Sequence, residues 1–300
     1  MPEGSIGALP LPPSRLGESP LWHVQEQQLY WCDIPGRTIN RWNPRSAEHR
    51  SWSVPTEPAC CVPLDGGGLL VAMRDGLWRF DPDTGRRHAV ADAPYDSSRQ
   101  RFNDGKADGH GRLWVSTLDD RRLPEAALYR HDPGQGLRQV ESGITVGNGL
   151  AFSPDGRTMY LADTQAHRVT AFDVDAADGA LSRRRVFRQF VARAPGQPLD
   201  DYRGRPDGAA VDAEGAYWVA MFEGRRLLRL AADGALLAEL MLPVRCPTMP
   251  CFGGPDLKTL FITTAREGRP DDELAQQPLA GCVLQLQVEV AGLPALPARL

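Results

Sequence analysis

The sequence predicts an all-β protein, and more specifically a six-bladed β-propeller. The first observation behind this prediction is a repeat: one unit of about forty residues recurs six times along the 300-residue chain. Each unit contains short apolar runs separated by turn residues, which is typical of a propeller blade of several strands. The second observation is the content of 30 glycines and 26 prolines, which interrupts the chain too often for long helices.

Each unit begins with a short stretch, here called the slot, that precedes its first apolar run. In chain order the slots are Glu18, Cys60–Cys61, Asn103–Asp104, Asn148, Asp207 and Pro247–Met249. Successive slots are 41 to 44 residues apart, except for the 59 residues between Asn148 and Asp207. An insertion at about residues 188–204 accounts for the longer interval.

The repeat predicts a single domain over residues 1–300, with blades that start near residues 17, 60, 103, 147, 206 and 248. Because a closed ring leaves no strand edge exposed, we expect an N-terminal strand to complete the last blade beside Val283–Val290. Helical solenoids repeat at similar lengths. The short runs LYWCD, LLVAM and YWVAM are rich in aromatic and branched residues, however, and such runs indicate strands.

Composition and charge limit the partners that the protein can have. The formal net charge is −4, and basic pairs such as Arg121–Arg122 are scattered, so we interpret them as solvated surface. We therefore expect no nucleic-acid partner. No apolar run approaches the length of a membrane span, and the N-terminus does not resemble a secretory signal. The six cysteines lack C-x-x-C spacing, which predicts reduced, buried thiols in a cytoplasmic protein. The protein can be a monomer or a dimer.

The slots carry the candidate site. In a propeller, equivalent positions of the blades lie at one height around the central channel, so four polar slots should meet at one mouth. Their side chains are Glu18, Asn103–Asp104, Asn148 and Asp207. Carboxylates crowded together repel one another unless a cation lies between them, and oxygen ligands suit Ca²⁺, Mg²⁺ or Mn²⁺. The alternative is that these are ordinary turn residues, but their recurrence at one phase of the repeat favours a site.

Other catalytic motifs are absent from the sequence. It contains no H-E-x-x-H string, no G-x-S-x-G elbow and no phosphate-binding glycine loop. The six histidines lie in loops or beside charges, and we expect all of them at the surface. The functional prediction therefore depends on the slots.

Five strings, in this order, resemble the senescence-marker-protein/gluconolactonase/luciferin-regenerating-enzyme family, which includes regucalcin. They are GESPLW (17–22), RFNDGKAD (101–108), GNGLAFSPDGRTMYLADT (147–164), RPDGAAVDAEGAYWVA (205–220) and FGGPDLKTLFITTA (252–265). Together they extend over essentially the whole chain, and the combination is specific. The resemblance implies a six-bladed propeller with one divalent metal ion at the channel mouth, held by Glu18, Asn148 and Asp207.

The resemblance also implies the residues that contact the substrate. Arg101 and Asn103 match the family's R-x-N-D string. Family members carry an acidic pair after the third blade's strand, and its second residue contacts the substrate. Here that segment reads STLDDRRLPEAALYR. Asp120 is therefore the candidate, with Asp119 and Glu125 as alternatives.

The implied activity is that of a lactonase, which hydrolyses a sugar aldonolactone to the aldonic acid. A bound Ca²⁺, Mg²⁺, Mn²⁺, Zn²⁺ or Fe²⁺ ion would polarise the lactone carbonyl. Water would be activated by the metal or by a carboxylate acting as general base, with Asp207 as first candidate and Asp104 as second. Two other functions stay open: a non-catalytic Ca²⁺-binding, regucalcin-like propeller, and a propeller hydrolase of non-sugar lactones or esters.

Overall fold

The protein folds into six antiparallel sheets of four strands each, arranged as blades in a ring, in a computed structural model that describes residues 6–300. This arrangement confirms the six-bladed β-propeller predicted from the repeat. The apolar runs LLVAM and YWVAM form strands whose residues are almost all buried. They are continuous rather than alternating in polarity because neighbouring blades cover both faces of each sheet.

The strands in chain order are β1 (Gly7–Ala8), β2 (Gly17–His23), β3 (Gln28–Asp33), β4 (Thr38–Trp42), β5 (His49–Ser53), β6 (Pro58–Pro63), β7 (Leu69–Met73), β8 (Gly76–Phe80), β9 (Arg87–Asp92), β10 (Gln100–Ala107), β11 (Leu113–Asp119), β12 (Ala126–Asp132), β13 (Gly136–Ile144), β14 (Gly147–Phe152), β15 (Thr158–Asp163), β16 (Arg168–Val174), β17 (Leu181–Gln189), β18 (Arg205–Val211), β19 (Tyr217–Phe222), β20 (Arg226–Leu230), β21 (Leu236–Met241), β22 (Pro247–Gly253), β23 (Thr259–Thr264) and β24 (Leu284–Gln287). A 3₁₀-helix spans Leu199–Asp201, and the short helix α1 spans Asp271–Gln276. Within residues 6–300, neither helix has the length and apolarity that crossing a membrane requires.

The N-terminal strand closes the ring. In the sixth blade the strand order is β22, β23, β24 and β1, so the first strand of the chain is the outermost strand of the last blade. Gly7 pairs with Gln285 and Ala8 with Leu284, both antiparallel. The predicted closure is therefore confirmed, although its partner strand ends at Gln287 rather than extending to Val290.

The hydrophobic core is divided among the interfaces between blades. Each of six clusters of buried side chains in residues 6–300 lies between two neighbouring blades. Between the third and fourth blades, for example, Trp114 and Leu128 pack with Leu150 and Met159. Burial of apolar surface thus joins every blade to the next, and the ring holds the innermost strands in fixed positions around the channel.

The six innermost strands carry an irregularity that the repeat did not predict. In β2, Glu18 pairs with Cys32 but Leu21 pairs with Tyr30, so one extra residue lies on the inner strand. The other five innermost strands, β6, β10, β14, β18 and β22, have the same one-residue bulge close to their slots. A β-bulge redirects the side chains beside it, so all six slots share this backbone device.

The cysteines agree with the prediction and the histidines do not. All six cysteines are free thiols, and only Cys282 is not fully buried. The prediction that every histidine lies at the surface is wrong for three of them, since His23, His131 and His167 are buried. The residues next to each histidine in the sequence did not reveal its burial, because its contacts come from distant parts of the chain. His167 Nε2, for example, forms a hydrogen bond of 2.5 Å with the Tyr202 hydroxyl.

Candidate active site at the channel mouth

The four polar slots lie at or near the beginning of four innermost strands, at one end of the channel. Glu18 is on β2, Asn103–Asp104 on β10, Asn148 on β14 and Asp207 on β18. All five side chains are buried, with 4–8% of each residue exposed. The structure therefore brings together residues from four different blades.

A chain of hydrogen bonds links the third and fourth blades at this end. Arg101 Nη1 donates to Asn103 Oδ1 at 2.7 Å. Asn103 Nδ2 donates to Asn148 Oδ1 at 2.9 Å and to the Gly147 carbonyl at 2.8 Å. Asn148 Nδ2 in turn donates to Thr164 Oγ1 at 2.9 Å. These bonds fix the Asn148 amide and leave its Oδ1 with one further lone pair.

The glycine beside each polar slot allows neighbouring blades to approach closely. A Cβ on Gly105 would lie 2.7 Å from Cys60 Sγ, and one on Gly208 would overlap the Met249 side chain. Gly149 has a left-handed backbone, with φ of 55°. The strings N-D-G, G-N-G and P-D-G are thus parts of bulged inner strands, so the alternative that they are ordinary turns is wrong.

Replacing Gly208 with alanine is expected to destabilise the ring. The new methyl group would meet the Met249 Cβ and the Thr248 carbonyl, neither of which can rotate away. We expect Gly208→Ala to lower the free energy of unfolding by about 1–3 kcal/mol in chemical denaturation. Gly109→Ala is the matched control, because nothing lies within 4 Å of its added Cβ. Equal losses of stability in the two variants would contradict the close approach at Gly208.

Burial raises the pKa of all three carboxyl groups, and repulsion by neighbouring carboxylates adds to this effect for Glu18 and Asp207. Burial is the main cause that raises the pKa of Glu18 well above its usual range, and Asp207 and Asp104 add to the effect. Burial also raises the pKa of Asp207 to about 8 and the pKa of Asp104 to about 6. Arg101 contributes opposing positive charge to Glu18 and Asp207, but its own pKa is lowered by burial to about 10.

Several oxygen atoms in the site have no donor. Asp104 Oδ2 accepts a hydrogen bond from the Leu150 amide at 2.7 Å, while its buried Oδ1 has no partner among residues 6–300. Glu18 Oε2 accepts only the Ser19 amide, at 3.3 Å. The described residues offer no hydrogen-bond donor to the Asp207 carboxylate. A buried acceptor without a donor is costly, so this set of atoms suits a bound cation.

The donor set also suits the divalent ion that the family resemblance implies. Two carboxylates and one amide oxygen, from Glu18, Asp207 and Asn148, are hard oxygen ligands of the kind that Ca²⁺ and Mg²⁺ take. Across residues 6–300, no three His, Cys, Asp or Glu side chains converge as a metal-binding group.

The predicted substrate contact Asp120 is not part of this cluster. Its side chain is 42% exposed and forms an ion pair of 3.0 Å with Arg74. The two alternatives are also engaged, because Asp119 and Glu125 both pair with Arg121. All three acids of this loop are thus held by arginines, and Asp120 lies at the rim of the mouth rather than among the buried carboxylates.

Two arginines that sequence reasoning missed lie near the mouth. Arg122 and Arg205 both act to lower the pKa of Asp207, together with Arg101. Arg122 is exposed, in line with the sequence interpretation, but its charge also acts on Arg101 and its backbone is left-handed, with φ of 61°. Its side chain has no hydrogen bond or ion pair within residues 6–300. For Arg205, the sequence does contain a signal: the R-P-D-G string places this arginine two residues before Asp207.

Comparison with known proteins then assigns the family. Residues 16–266 match the profile described as the SMP-30/Gluconolactonase/LRE-like region. The chain belongs to this family. A 6-deoxy-6-sulfogluconolactonase of Pseudomonas putida is 42% identical over 93% of this chain and 94% of that protein. Regucalcin of Danio rerio, another relative, is 34% identical over 94% of each chain.

A solved structure of the same family supports the assignment. A calcium-binding protein, regucalcin, from Agrobacterium tumefaciens superposes on this chain with a TM-score of 0.90 at 28% identity. The match covers 98% of this chain and 97% of that one. Both the sequence and the six-bladed ring therefore place the protein among the SMP-30/gluconolactonase-like propellers.

Proposed function

We propose that this protein is a lactonase that hydrolyses a sugar aldonolactone to the aldonic acid at the channel mouth. The observation that carries the proposal is the buried chain Arg101–Asn103–Asn148 beside the carboxylates of Glu18 and Asp207. A hydroxylated ring needs fixed polar partners, and carbonyl hydrolysis needs charge stabilisation and a proton acceptor. The 42% identity to a 6-deoxy-6-sulfogluconolactonase supports the same reaction.

Glu18, Asn148 and Asp207 would hold one divalent ion, such as Ca²⁺, Mg²⁺, Mn²⁺, Zn²⁺ or Fe²⁺. Their oxygen atoms and the mutual repulsion of the buried carboxylates support this assignment. The likeness to a calcium-binding regucalcin also supports it. When bound, such an ion supplies Lewis acidity toward a lactone carbonyl and water.

The two candidate bases differ in their surroundings. Asp104 has a buried oxygen without a donor and a pKa of about 6, so near neutral pH this oxygen can accept a proton from water. Asp207 has a pKa of about 8 in the absence of a cation, and as an ion ligand it would be a weaker base. Both residues remain candidates for the base, and comparison of the variants Asp207→Asn and Asp104→Asn separates them.

Arg101 and Asn103 would orient the sugar in different ways. One guanidinium nitrogen of Arg101 is occupied by Asn103 Oδ1 and the Phe102 carbonyl, which leaves its other N–H groups for sugar hydroxyls. Both N–H groups of Asn103 already donate to Asn148 and Gly147. Asn103 can therefore meet the sugar only as an acceptor, and its main task would be to position Arg101 and Asn148.

The arginines near the mouth favour a lactone that carries an anionic substituent. Arg101, Arg122 and Arg205 place positive charge around Asp207, and Arg122 has no hydrogen bond or ion pair to another described residue. The Pseudomonas putida relative is named for a lactone with a sulfo group at position 6. A sulfonate or phosphate at that end of the sugar would match a free guanidinium.

Replacing Arg122 is expected to change specificity more than catalysis. For a 6-sulfo- or 6-phosphogluconolactone, Arg122→Ala should raise KM about tenfold or more, because the variant loses a hydrogen bond between charged groups. The KM for unsubstituted gluconolactone should change little. Arg184→Ala, on the outermost strand of the fourth blade and 56% exposed, is the control. An equal change of KM for charged and neutral lactones would remove Arg122 from the substrate site.

A second candidate function is non-catalytic Ca²⁺ binding, which the likeness to regucalcins favours. It would need the ion ligands but not Arg101. The free, mostly buried thiols agree with a cytoplasmic location for either function. Arg101→Ala separates the two functions, because it should impair lactone hydrolysis without abolishing Ca²⁺ binding.

A lactone panel tests the proposal. The purified protein is incubated with gluconolactone, galactonolactone, xylonolactone, arabinonolactone and a 6-sulfogluconolactone, and acid release is measured above the spontaneous rate. We expect hydrolysis of at least one sugar lactone and little cleavage of γ-butyrolactone or p-nitrophenyl acetate. Preference for the last two compounds would support a non-sugar hydrolase, and no reaction above background for any compound would refute a lactonase.

A further inference from the structure

A second cavity lies at the opposite end of the channel from Glu18 and Asp207. Its volume is about 390 Å³, within the range of small-molecule sites. Every innermost strand contributes to it through residues beyond the slot, among them Trp22, Val62, Lys106, Phe152, Val211 and Phe252. Because a strand rises about 3.3 Å per residue, Trp22, Phe152, Val211 and Phe252, each four residues beyond a slot, lie roughly 13 Å along the channel from the slots, and Lys106 lies roughly 7 Å beyond Asp104.

The cavity is mostly apolar, and its carboxylates are already engaged. Asp108 Oδ2 accepts a hydrogen bond from Trp114 Nε1 at 2.9 Å. Asp155 Oδ1 accepts one from Ser153 Oγ at 2.6 Å. Lys106, by contrast, makes no side-chain hydrogen bond or ion pair within residues 6–300, although its charge lowers the pKa of Asp104. The cavity thus combines an apolar lining with one ammonium group that has no counter-ion in contact.

An unpartnered donor on the same lining also indicates a ligand. Trp22 lines the cavity, is 2% exposed, and its Nε1 hydrogen has no acceptor among the described residues. A buried N–H without an acceptor costs about 1–3 kcal/mol, so native structures rarely leave one unused. An acceptor atom that reached Nε1 from the cavity would remove this cost.

The C-terminal segment covers this end of the channel. One hydrogen bond ties the segment to the fifth blade: the Ala213 amide of that blade donates to the Ala291 carbonyl of the segment at 2.8 Å. Another ties it to the second blade: the Ala298 amide of the segment donates to the Pro63 carbonyl at 2.8 Å. Between these ties, residues 293–296 line the cavity, and 294–297 are exposed. The cover is therefore a short exposed strip held at both ends.

We propose that this cavity binds a small molecule with an apolar body and a terminal carboxylate. The carboxylate pairs with Lys106, and the apolar body lies against Trp22, Phe152 and Phe252. An aldonolactone does not match this cavity, because it has a hydroxyl group on almost every carbon and the lining offers few partners. The site is separate from the proposed lactonase site and does not depend on it.

Decanoate is a suitable probe, because it combines a carboxylate with an unbranched apolar chain. Calorimetric titration of the wild-type protein should show saturable binding of one decanoate per chain, and decanol should bind more weakly. Lys106→Met should weaken decanoate binding about tenfold or more, as expected for loss of a charged hydrogen bond. The chain has only two lysines, and Lys258→Met, at an exposed position, is the matched control that should leave binding unchanged.

A second measurement uses the wild-type protein and so does not depend on how the variants fold. Decanoate should slow acetylation of Lys106 by N-hydroxysuccinimidyl acetate, as read by peptide mass spectrometry, and leave acetylation of Lys258 unchanged. Gluconolactone should not displace decanoate. The proposal is overturned if decanoate does not bind saturably, if Lys106 is not protected, or if gluconolactone competes with it. The lactone panel tests the proposed lactonase activity independently of decanoate binding, so a negative result in one experiment does not affect the other proposal.

Discussion

Asp207→Asn is expected to reduce kcat/KM for lactone hydrolysis by about 10³-fold or more, because it removes a candidate proton acceptor and a proposed ion ligand together. The substitution keeps the shape of the side chain and the adjacent Gly208. It also removes a buried carboxylate whose pKa of about 8 reflects burial and the neighbouring Asp104. Stability should therefore change far less than activity. The measurement is the lactone assay with calorimetric titration of the ion on the same variant.

Two comparisons make this result specific. Asp233→Asn changes another Asp-Gly pair of the same blade, where Asp233 Oδ1 accepts the Ala235 amide at 2.9 Å in an exposed turn, and it should leave activity intact. Asp104→Asn should lower kcat with little loss of ion affinity if Asp104 is the base. An Asp207→Asn variant that keeps wild-type ion affinity would remove Asp207 from the ligand set.

The metal-free protein is expected to lose stability as pH rises from about 5 to about 8. Glu18, Asp104 and Asp207 all have raised pKa values when folded, whereas carboxyl groups in an unfolded chain titrate near pH 4. The folded protein therefore binds more protons than the unfolded chain over this interval. Its free energy of unfolding must fall with pH, by on the order of several kcal/mol if the three groups act together.

Chemical denaturation in the presence of chelator at pH 5.5 and pH 8 measures this effect. Asp207→Asn removes one of these groups and its repulsion of Glu18, so the variant should lose less stability than the wild type over the same interval. Other groups cancel in that difference, including His131, whose pKa is lowered by burial and which acts in the opposite direction. A divalent ion should stabilise the wild type more at pH 8 than at pH 5.5. Identical pH slopes in wild type and variant would contradict the raised pKa of Asp207.

The sequence predicted which residues would share the channel mouth but not how they are held there. Recurrence of the slot was sufficient for Glu18, Asn148 and Asp207, because equivalent positions in a ring of blades share one height. The bulge at each slot was not predictable, since an apolar pattern does not encode the register of strand pairing. Strings such as P-D-G therefore resembled turns.

Side chains at the rim of the site are oriented by residues from other blades, and the repeat in the sequence does not reveal these contacts. Asp120 is oriented by Arg74, which lies 46 residues earlier in the chain and on another blade. Arg122 lies in the connection between β11 and β12, so composition alone assigned it to solvated surface. The position of Lys106 was not predictable either. It belongs to the R-F-N-D-G-K-A-D string, yet it lines the cavity at the other end of the channel.

Metal removal and reconstitution of the wild-type protein test directly whether lactone hydrolysis depends on a bound divalent ion. The protein is treated with chelator, titrated with one divalent ion by calorimetry, and its lactone hydrolysis is measured at each point. We expect one ion per chain and activity that returns in proportion to the ion bound, with neither property in Asp207→Asn. Full lactonase activity in protein that binds no divalent ion would contradict this expectation.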